Sequence, residues 1–354
     1  MKKPIHCAAV AGISLWLLGA CAPTQNVSPL ATPQPTQGQS ENAATLAPIH
    51  LRVGTLKYMS NGPVFIAREQ GFFAEQGLDV ELVDFGYVDR DMLPALLDSQ
   101  LDIAATSINA GILNAIANGG NLRLVADKGH VNPDACATEA WLARKSLVEN
   151  GDLADLSGLK GRTMATWIGT TFEYANDMLL AKAGLTDKDV QITTVADATA
   201  RIDALRSGTI DVSTEAEPWI THSTEQGASA LWLPLSAIVP DLSVAAIVYG
   251  PGILDENPQA GVRFMAAYLK AVRYFSAGKS DQSVQIIAKY TGLAPDVIRS
   301  ACWNSYHADG SIDEQQLMNF VTWTHGKGYL DSLLRLPQIW DPQFVEQAKS
   351  MVGE

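Results

Sequence analysis

The chain has 354 residues, 47% of them hydrophobic, with 38 acidic against 25 basic side chains and a formal net charge of −13 at pH 7. That length accommodates two domains at ~100–200 residues each. So acidic a balance argues against nucleic acid or anionic lipid as a partner and is silent about a small ligand.

Met1-Lys2-Lys3 is a short basic stretch, followed by an apolar run from Ala8 to Leu18. The run is shorter than the ~20 residues a helix needs to cross a bilayer. Basic, apolar and then small residues describe a secretory signal peptide over residues 1–20. Its end, Leu18-Gly19-Ala20-Cys21, resembles the bacterial lipoprotein box. The resemblance implies that cleavage leaves Cys21 as the first mature residue, carrying diacylglycerol and palmitate, with the protein on the extracytoplasmic face of the cell membrane. An ordinary signal peptide that happens to contain a cysteine is the alternative. Loss of residues 1–20 removes two lysines and leaves a net charge of −15. Residues 21–48 are rich in Pro, Thr, Gln, Ser, Asn and Ala and contain no aromatic residue. They bury too little surface to offset their ordering entropy, so a flexible tether is expected. Cys7 leaves with the signal. The remaining pair, Cys136 and Cys302, can either bond in an oxidising compartment or stay as two buried thiols.

Beyond the tether, Leu51 to Gly54 alternates as a short strand, Pro63 suits the first position of a helix and Gly71 its stop. Asp79 to Phe85 reads as a strand, Met92 to Leu97 as a helix and Asp102 to Ala105 as a strand. Ile108 to Ala117 reads as a helix ended by Gly119-Gly120, before a strand from Leu122 to Ala126. Strands separated by helices of this length indicate parallel α/β units. The unit recurs. Ala95-Leu96 followed by Leu101-Asp102-Ile103 returns 109 residues later as Ala204-Leu205 and Ile210-Asp211-Val212, and Gly77-Leu78 returns after 107 as Gly184-Leu185. Two matches in one order at similar offsets predict two lobes of similar topology, with a ligand cleft between them at the strand ends.

The run Asn61-Gly62-Pro63-Val64-Phe65-Ile66-Ala67, then Gly71-Phe72-Phe73 and Gly77-Leu78-Asp79-Val80, resembles the sulfonate-, nitrate- and thiamine-precursor-binding proteins of ABC importers. Leu101-Asp102-Ile103-Ala104, Gly158-Leu159-Lys160-Gly161 and Glu217-Pro218 extend the likeness, which covers Leu51 to about Leu330. It implies an α/β, two-lobed periplasmic-binding-protein fold of type II, with crossings near Ala137 to Ala143 and Ser243 to Tyr249. Lobe one is then 49–138 plus 250–354, and lobe two 139–249 with the crossings. The resemblance further implies a monomer that captures a solute and delivers it to an ABC permease and its ATPase, without a cofactor or metal and without catalysis. A membrane is touched through the lipid alone.

Loops at the cleft supply the candidate contacts. Tyr58, Ser60 and Asn61 follow the first strand. Thr106, Ser107 and Asn109 open a helix, where free N–H groups favour acceptor or anionic groups, and Asp127, Lys128 and His130 follow a third strand. In lobe two the candidates are Trp167, Gly169, Thr170, Thr171, Phe172 and Tyr174, then Glu215, Glu217 and Trp219. Ser107 or Thr170 reads equally as a plain helix cap, Trp219 as packing, and Trp303, Tyr306 and His307 as a packed aromatic cluster. Many aromatic faces, and acids with only Lys57 and Lys128 to offset them, suit a neutral heteroaromatic better than a sulfonate. Riboflavin is the expected ligand, with the thiamine pyrimidine and then sulfonate or nitrate as alternatives. The rival class is an enzyme. No Gly-x-Ser-x-Gly elbow, phosphate-binding Gly-rich loop or His-Glu-x-x-His helix is present. His50, His130, His222, His307 and His325 lack metal-ligand spacing, and the cysteine-dense iron motif of the superfamily's pyrimidine-synthesising branch does not occur.

Overall fold

The computed structural model describes residues 47–195 and 197–352; the signal peptide, Cys21 and the tether up to residue 46 lie outside the described residues. Within them run the strands β1 (Ile49–Thr55), β2 (Leu78–Asp84), β3 (Ile103–Ser107), β4 (Arg123–Asp127), β5 (Glu139–Ala143), β6 (Thr163–Thr166), β7 (Gln191–Thr194), β8 (Val212–Ala216), β9 (Ala230–Pro234) and β10 (Ala245–Tyr249). They form two sheets of five, ordered β2-β1-β3-β10-β4 and β7-β6-β8-β5-β9. In both, one antiparallel strand is inserted among parallel ones: β10 lies between β3 and β4, and β5 between β8 and β9. β5 is reached directly from β4 and β10 from β9, so each sheet is completed by a strand that arrives from the other. This is the two-lobed arrangement of type II. Both inserted strands are buried along their full length, which explains why Glu139–Ala143 and Ala245–Tyr249 read as nearly unbroken apolar runs rather than alternating ones.

The sequence echo has a structural cause. Asp102 caps the entry to β3 by accepting from Arg52 N of β1 at 2.7 Å, and its own N–H donates back to Arg52 O at 2.9 Å. Asp211 does the same before β8, with Thr163 of β6 at 3.0 and 2.9 Å. The residue ahead of each aspartate, Leu101 or Ile210, donates its N–H to the carbonyl of Ala95 or Ala204 at 2.9 and 3.2 Å, closing the preceding helix. Gly77 and Gly184 take φ of +68° and +71°, a conformation that costs glycine little.

Lobe one is backed by the long helix Pro258–Ser276, capped by the Asn257 side chain and opened by Pro258. It packs against Gly62–Glu69, where a Cβ at Gly62 would overlap the Phe275 ring. The segment after the second crossing, expected in lobe one, packs there with helix Gln343–Met351 on Pro258–Ser276, but one helix within it reaches the second lobe. Helix Glu314–Gly326 lies on helix Thr171–Lys182 of the second lobe: the Trp323 indole N–H donates to Asp177 at 2.8 Å, and Phe320 and Trp323 flank Tyr174 at 6.1 and 5.6 Å. The apolar face of that helix finds its cover there. Among the described residues no helix is long and apolar enough to cross a membrane.

Cys136, at the first crossing, is disulfide-bonded to Cys302, with a Cα–Cα distance of 5.9 Å and a sequence separation of 166. Of the two states open in the sequence, the bond is the one realised. Closing so long a loop restricts the unfolded chain strongly. Cys136→Ser is expected to lower stability by about 2–5 kcal/mol, read as a lower urea midpoint that wild type reproduces under reducing conditions. An unchanged midpoint would show that the bond contributes nothing.

Candidate functional site

The lobes are closed on one another. Ala110 N, opening helix Ala110–Ala117, donates to Gly169 O of the second lobe at 2.6 Å, and Asn109 bridges to Thr170. Tyr58 meets Trp167 across the interface at 5.8 Å, and Tyr87 meets Trp219 at 5.1 Å. Behind these contacts lies a cavity of about 40 Å³. Lobe one lines it with Leu56, Tyr58, Ser60, Ser107 and Lys128; Glu139, Trp167, Thr170, Thr171, Phe172 and Ala216 face them, and Val244 and Ala245 of the second crossing close one side. A groove of about 190 Å³ along Tyr87, Asp89, Arg90, Ile168 and Thr194 shares Leu56, Trp167 and Thr170 with the cavity, so the Trp167 indole stands between the two spaces.

Eight of the candidate residues, Tyr58, Ser60, Ser107, Lys128, Trp167, Thr170, Thr171 and Phe172, come together on the cavity wall. The capping alternative is realised as well: Thr170 Oγ1 accepts from Phe172 N at 3.2 Å while donating to Trp167 O at 2.6 Å. Thr106 and Asn109 are turned toward Asp89, which accepts from them at 3.0 and 3.3 Å and also from Ser107, and Asn109 Oδ1 caps its helix through Ile112 N at 3.0 Å. Asn61 is fully buried, and neither its Nδ2 nor its Oδ1 has a partner among the described residues. Glu217 is held by Thr221 Oγ1 at 2.8 Å and by Cys302 N at 3.0 Å. Trp219 packs on Tyr87, and Tyr174 on the helix Glu314–Gly326; neither lines the cavity.

Glu215 is fully buried in a bidentate pair with Arg201, Nε to Oε1 at 2.6 Å and Nη2 to Oε2 at 2.9 Å. Burial works against the guanidinium's charge, but Glu215 outweighs it and Arg201's pKa is raised. The guanidinium lies 4.4 Å from the centre of the Trp167 ring, near enough for a cation–π contact. Arg201 was not among the residues expected from sequence because it sits inside a helix, Ala198–Ser207, and not in a strand-end loop. An arginine in so short-chained a stretch was the one available signal.

Lys128 and Glu139 carry the cavity's own charge. Lys128 Nζ donates to Ser60 Oγ at 2.9 Å. Burial pushes its ammonium down to about 7, against the pull of Asp89, Asp127 and Glu139. Glu139 accepts from Thr138 Oγ1 at 2.6 Å and from Asn304 Nδ2 at 3.0 Å. Burial pushes its carboxyl up to about 7. An acid and a base thus share one small space near their points of neutrality, able to present a donor, an acceptor or a charge to whatever enters. Glu139 was missed because it opens an apolar strand, where a lone acid reads as a strand end.

Folded Glu139 keeps a proton that the unfolded chain gives up near its ordinary value of 4.5. Its contribution to stability is therefore whole below that pH and is lost as pH rises through about 7. Lys128 runs the other way: its contribution is whole above 10.5 and is lost as pH falls through about 7. Glu139→Gln should flatten the loss of stability expected of wild type between pH 4.5 and about pH 7, measured by urea midpoints across that window. Parallel profiles for the two proteins would remove Glu139 from this role.

Known proteins share this architecture. The periplasmic nitrate-binding protein NrtA from Synechocystis PCC 6803 superposes with a TM-score of 0.71 at 16% identity, over 86% of this chain and 89% of its own. The periplasmic aliphatic sulphonate-binding protein SsuA from Escherichia coli gives 0.65 at 22% identity, over 83% and 93%. A curated relative, the bicarbonate transport ATP-binding protein CmpC of Synechocystis, is 23% identical over 249 residues, 65% of this chain, and this chain spans 35% of that relative's length. The family model described as NMT1/THI5 like matches residues 59–278, from the loop after β1, through both crossings, to the end of the long helix of lobe one. The chain belongs to the NMT1/THI5-like family.

Proposed function

We propose that the protein is the extracytoplasmic solute-binding component of an ABC importer, closing its lobes on a compact heteroaromatic ligand and presenting it to a permease and its ATPase. The observation that carries this reading is the interlobe cavity, walled by Tyr58 and Trp167 and lined by Lys128 and Glu139, built from both lobes of a single chain. Anchorage through a lipid on Cys21 fits that station. Cys21→Ser should release the protein into the soluble fraction or leave it unprocessed, whereas wild type should need detergent; wild type that is soluble without detergent overturns the anchor.

Riboflavin needs room for three fused rings. The cavity, at about 40 Å³, is well below the ~150 Å³ that holds benzene. Trp167 turned aside would join it to the groove of about 190 Å³, which suits one ring better than three. Two of the aromatic side chains that favoured a flavin, Tyr174 and Trp219, face elsewhere. A single aminopyrimidine ring, the thiamine-precursor type, meets the remaining chemistry. The Lys128 ammonium donates to a ring nitrogen, Glu139 takes the amino N–H, and the Tyr58 and Trp167 rings face the heterocycle. A carboxylate beside the ligand disfavours a sulfonate whenever Glu139 is ionised.

Titration with such a pyrimidine should quench tryptophan fluorescence and raise the melting temperature by linkage. Trp167→Ala should weaken binding about tenfold, since ring stacking contributes about 0.5–1.5 kcal/mol beyond burial. The ligand should be recovered chemically unchanged, as a carrier requires and an enzyme does not. Tight binding of nitrate or an alkyl sulfonate, with no response to the pyrimidine or to riboflavin, overturns the ligand assignment; conversion of the ligand overturns the carrier role.

A further inference from the structure

Three polar side chains converge on the hinge, away from the cavity. Asp127 ends β4, His130 lies in the first crossing, and His307 comes from the distant segment that passes back toward the second lobe. The Asp127 carboxylate is fully buried and held by backbone: Oδ1 accepts from Gly129 N at 2.9 Å and Oδ2 from His307 N at 3.0 Å. Oδ2 also lies 3.1 Å from His130 Nδ1 and 3.4 Å from His307 Nδ1. The two imidazoles lie face to face, 4.0 Å between centres, and the three ligand atoms are all within 4.8 Å of one another. His307 Nδ1 is shielded from solvent yet has no hydrogen-bond partner among the described residues; the carboxylate is close but badly aligned to receive it.

We propose that Asp127, His130 and His307 form a binding site for a divalent first-row transition metal, zinc before others. Zinc takes nitrogen at ~2.0–2.1 Å and carboxylate oxygen at ~2.0–2.2 Å in a tetrahedron, so paired ligand atoms stand about 3.3 Å apart. The separations of 3.1 and 3.4 Å bracket that spacing. Two imidazole nitrogens and one carboxylate oxygen suit zinc and its neighbours, whereas magnesium and calcium favour oxygen. The N–H groups of Gly129 and His307 fix the carboxylate as a supporting shell does, and the Tyr268 hydroxyl holds the Asp127 carbonyl at 2.7 Å. The imidazoles are stacked rather than splayed, so binding requires the rings to rotate. The His307 side chain is one-third exposed, so the cluster lies next to solvent on that side. No local motif marks this site, because 177 residues separate the two histidines. The site does not depend on which solute the cavity takes.

The test uses the full chain, stripped with chelator and titrated with Zn²⁺ and with Co²⁺ as a spectroscopic probe. One metal per chain should bind, Co²⁺ should develop the visible bands of a low-symmetry nitrogen-oxygen site, and Zn²⁺ should raise the melting temperature. His307→Gln, on the exposed side of the cluster, and His130→Gln should each weaken Zn²⁺ at least about tenfold, while His50→Gln, at the exposed start of β1, should change nothing. Affinity should fall as pH drops, because the imidazoles must be neutral to bind. Circular dichroism separates a folding failure from loss of the site, and His307→Gln decides the outcome if His130→Gln does not fold. No binding at micromolar Zn²⁺, or binding that His307→Gln leaves intact, overturns the proposal.

Discussion

Each sheet is finished by a strand from the opposite side of the molecule, and the rest of the structure depends on that exchange. Without β10, β3 and β4 have no partner between them; without β5, β8 and β9 have none. The connecting segments therefore cannot fray without opening a sheet. They are bonded to each other as well: Lys128 N to Ala245 O at 3.1 Å, Val244 N to Gly129 O at 3.1 Å and Val131 N to Leu242 O at 2.9 Å. Two crossings paired side by side in this way are the geometry that hinge closure uses. Lys128, Glu139, Val244 and Ala245 belong both to the braid and to the cavity wall, so a ligand that touches the wall touches the hinge.

The two sets of buried charge near Trp167 serve different ends. Arg201 and Glu215 satisfy one another in a bidentate pair, and such a pair, once formed, is costly to break from either side. Its place 4.4 Å from the centre of the Trp167 ring makes it a support for that indole. Lys128 and Glu139 have only neutral hydrogen-bond partners, Ser60 on one side and Thr138 with Asn304 on the other. A buried charge without a charged partner is destabilising, and both groups respond by moving toward neutrality. What the free protein forgoes there is available to a ligand that supplies the missing complement.

Much of the fold was legible because it rests on local rules. The aspartate before β3 and β8 closes a turn through backbone groups of the neighbouring strand, so its spacing from Ala95 and Ala204 survives as a sequence echo. The glycines at 77 and 184 are required by positive φ, and each marks the end of a helix. The site was legible only where it shares that logic, at strand-end turns such as Tyr58, Ser107, Trp167 and Thr170. Tyr174 was drawn in by proximity in sequence, but three residues along a helix are about 4.5 Å along its axis, enough to take the ring from the cleft to the cover helix. Arg201 acts from inside a helix, Glu139 from inside an apolar strand, and the Cys136–Cys302 and His130–His307 pairings join segments whose meeting depends on how the chain returns after β10. No periodicity encodes that return.

Residues 127 to 130 show how closely these functions are packed. Asp127 is the last residue of β4 and Lys128 the next along an extended stretch, so their side chains point to opposite sides, as alternation requires. Lys128 enters the cavity, while Asp127 turns to His130 and His307 at the hinge. Gly129, at φ +128°, then redirects the chain so that His130 comes back over the Asp127 carboxylate. Glycine adopts that conformation at little cost, and a side chain there would be strained. Four consecutive residues therefore present one face to the cavity and the other to the hinge cluster, and a single peptide unit joins Lys128 to Asp127. The segment is also where the first crossing leaves lobe one, so both faces of the strand end bear on the same pivot.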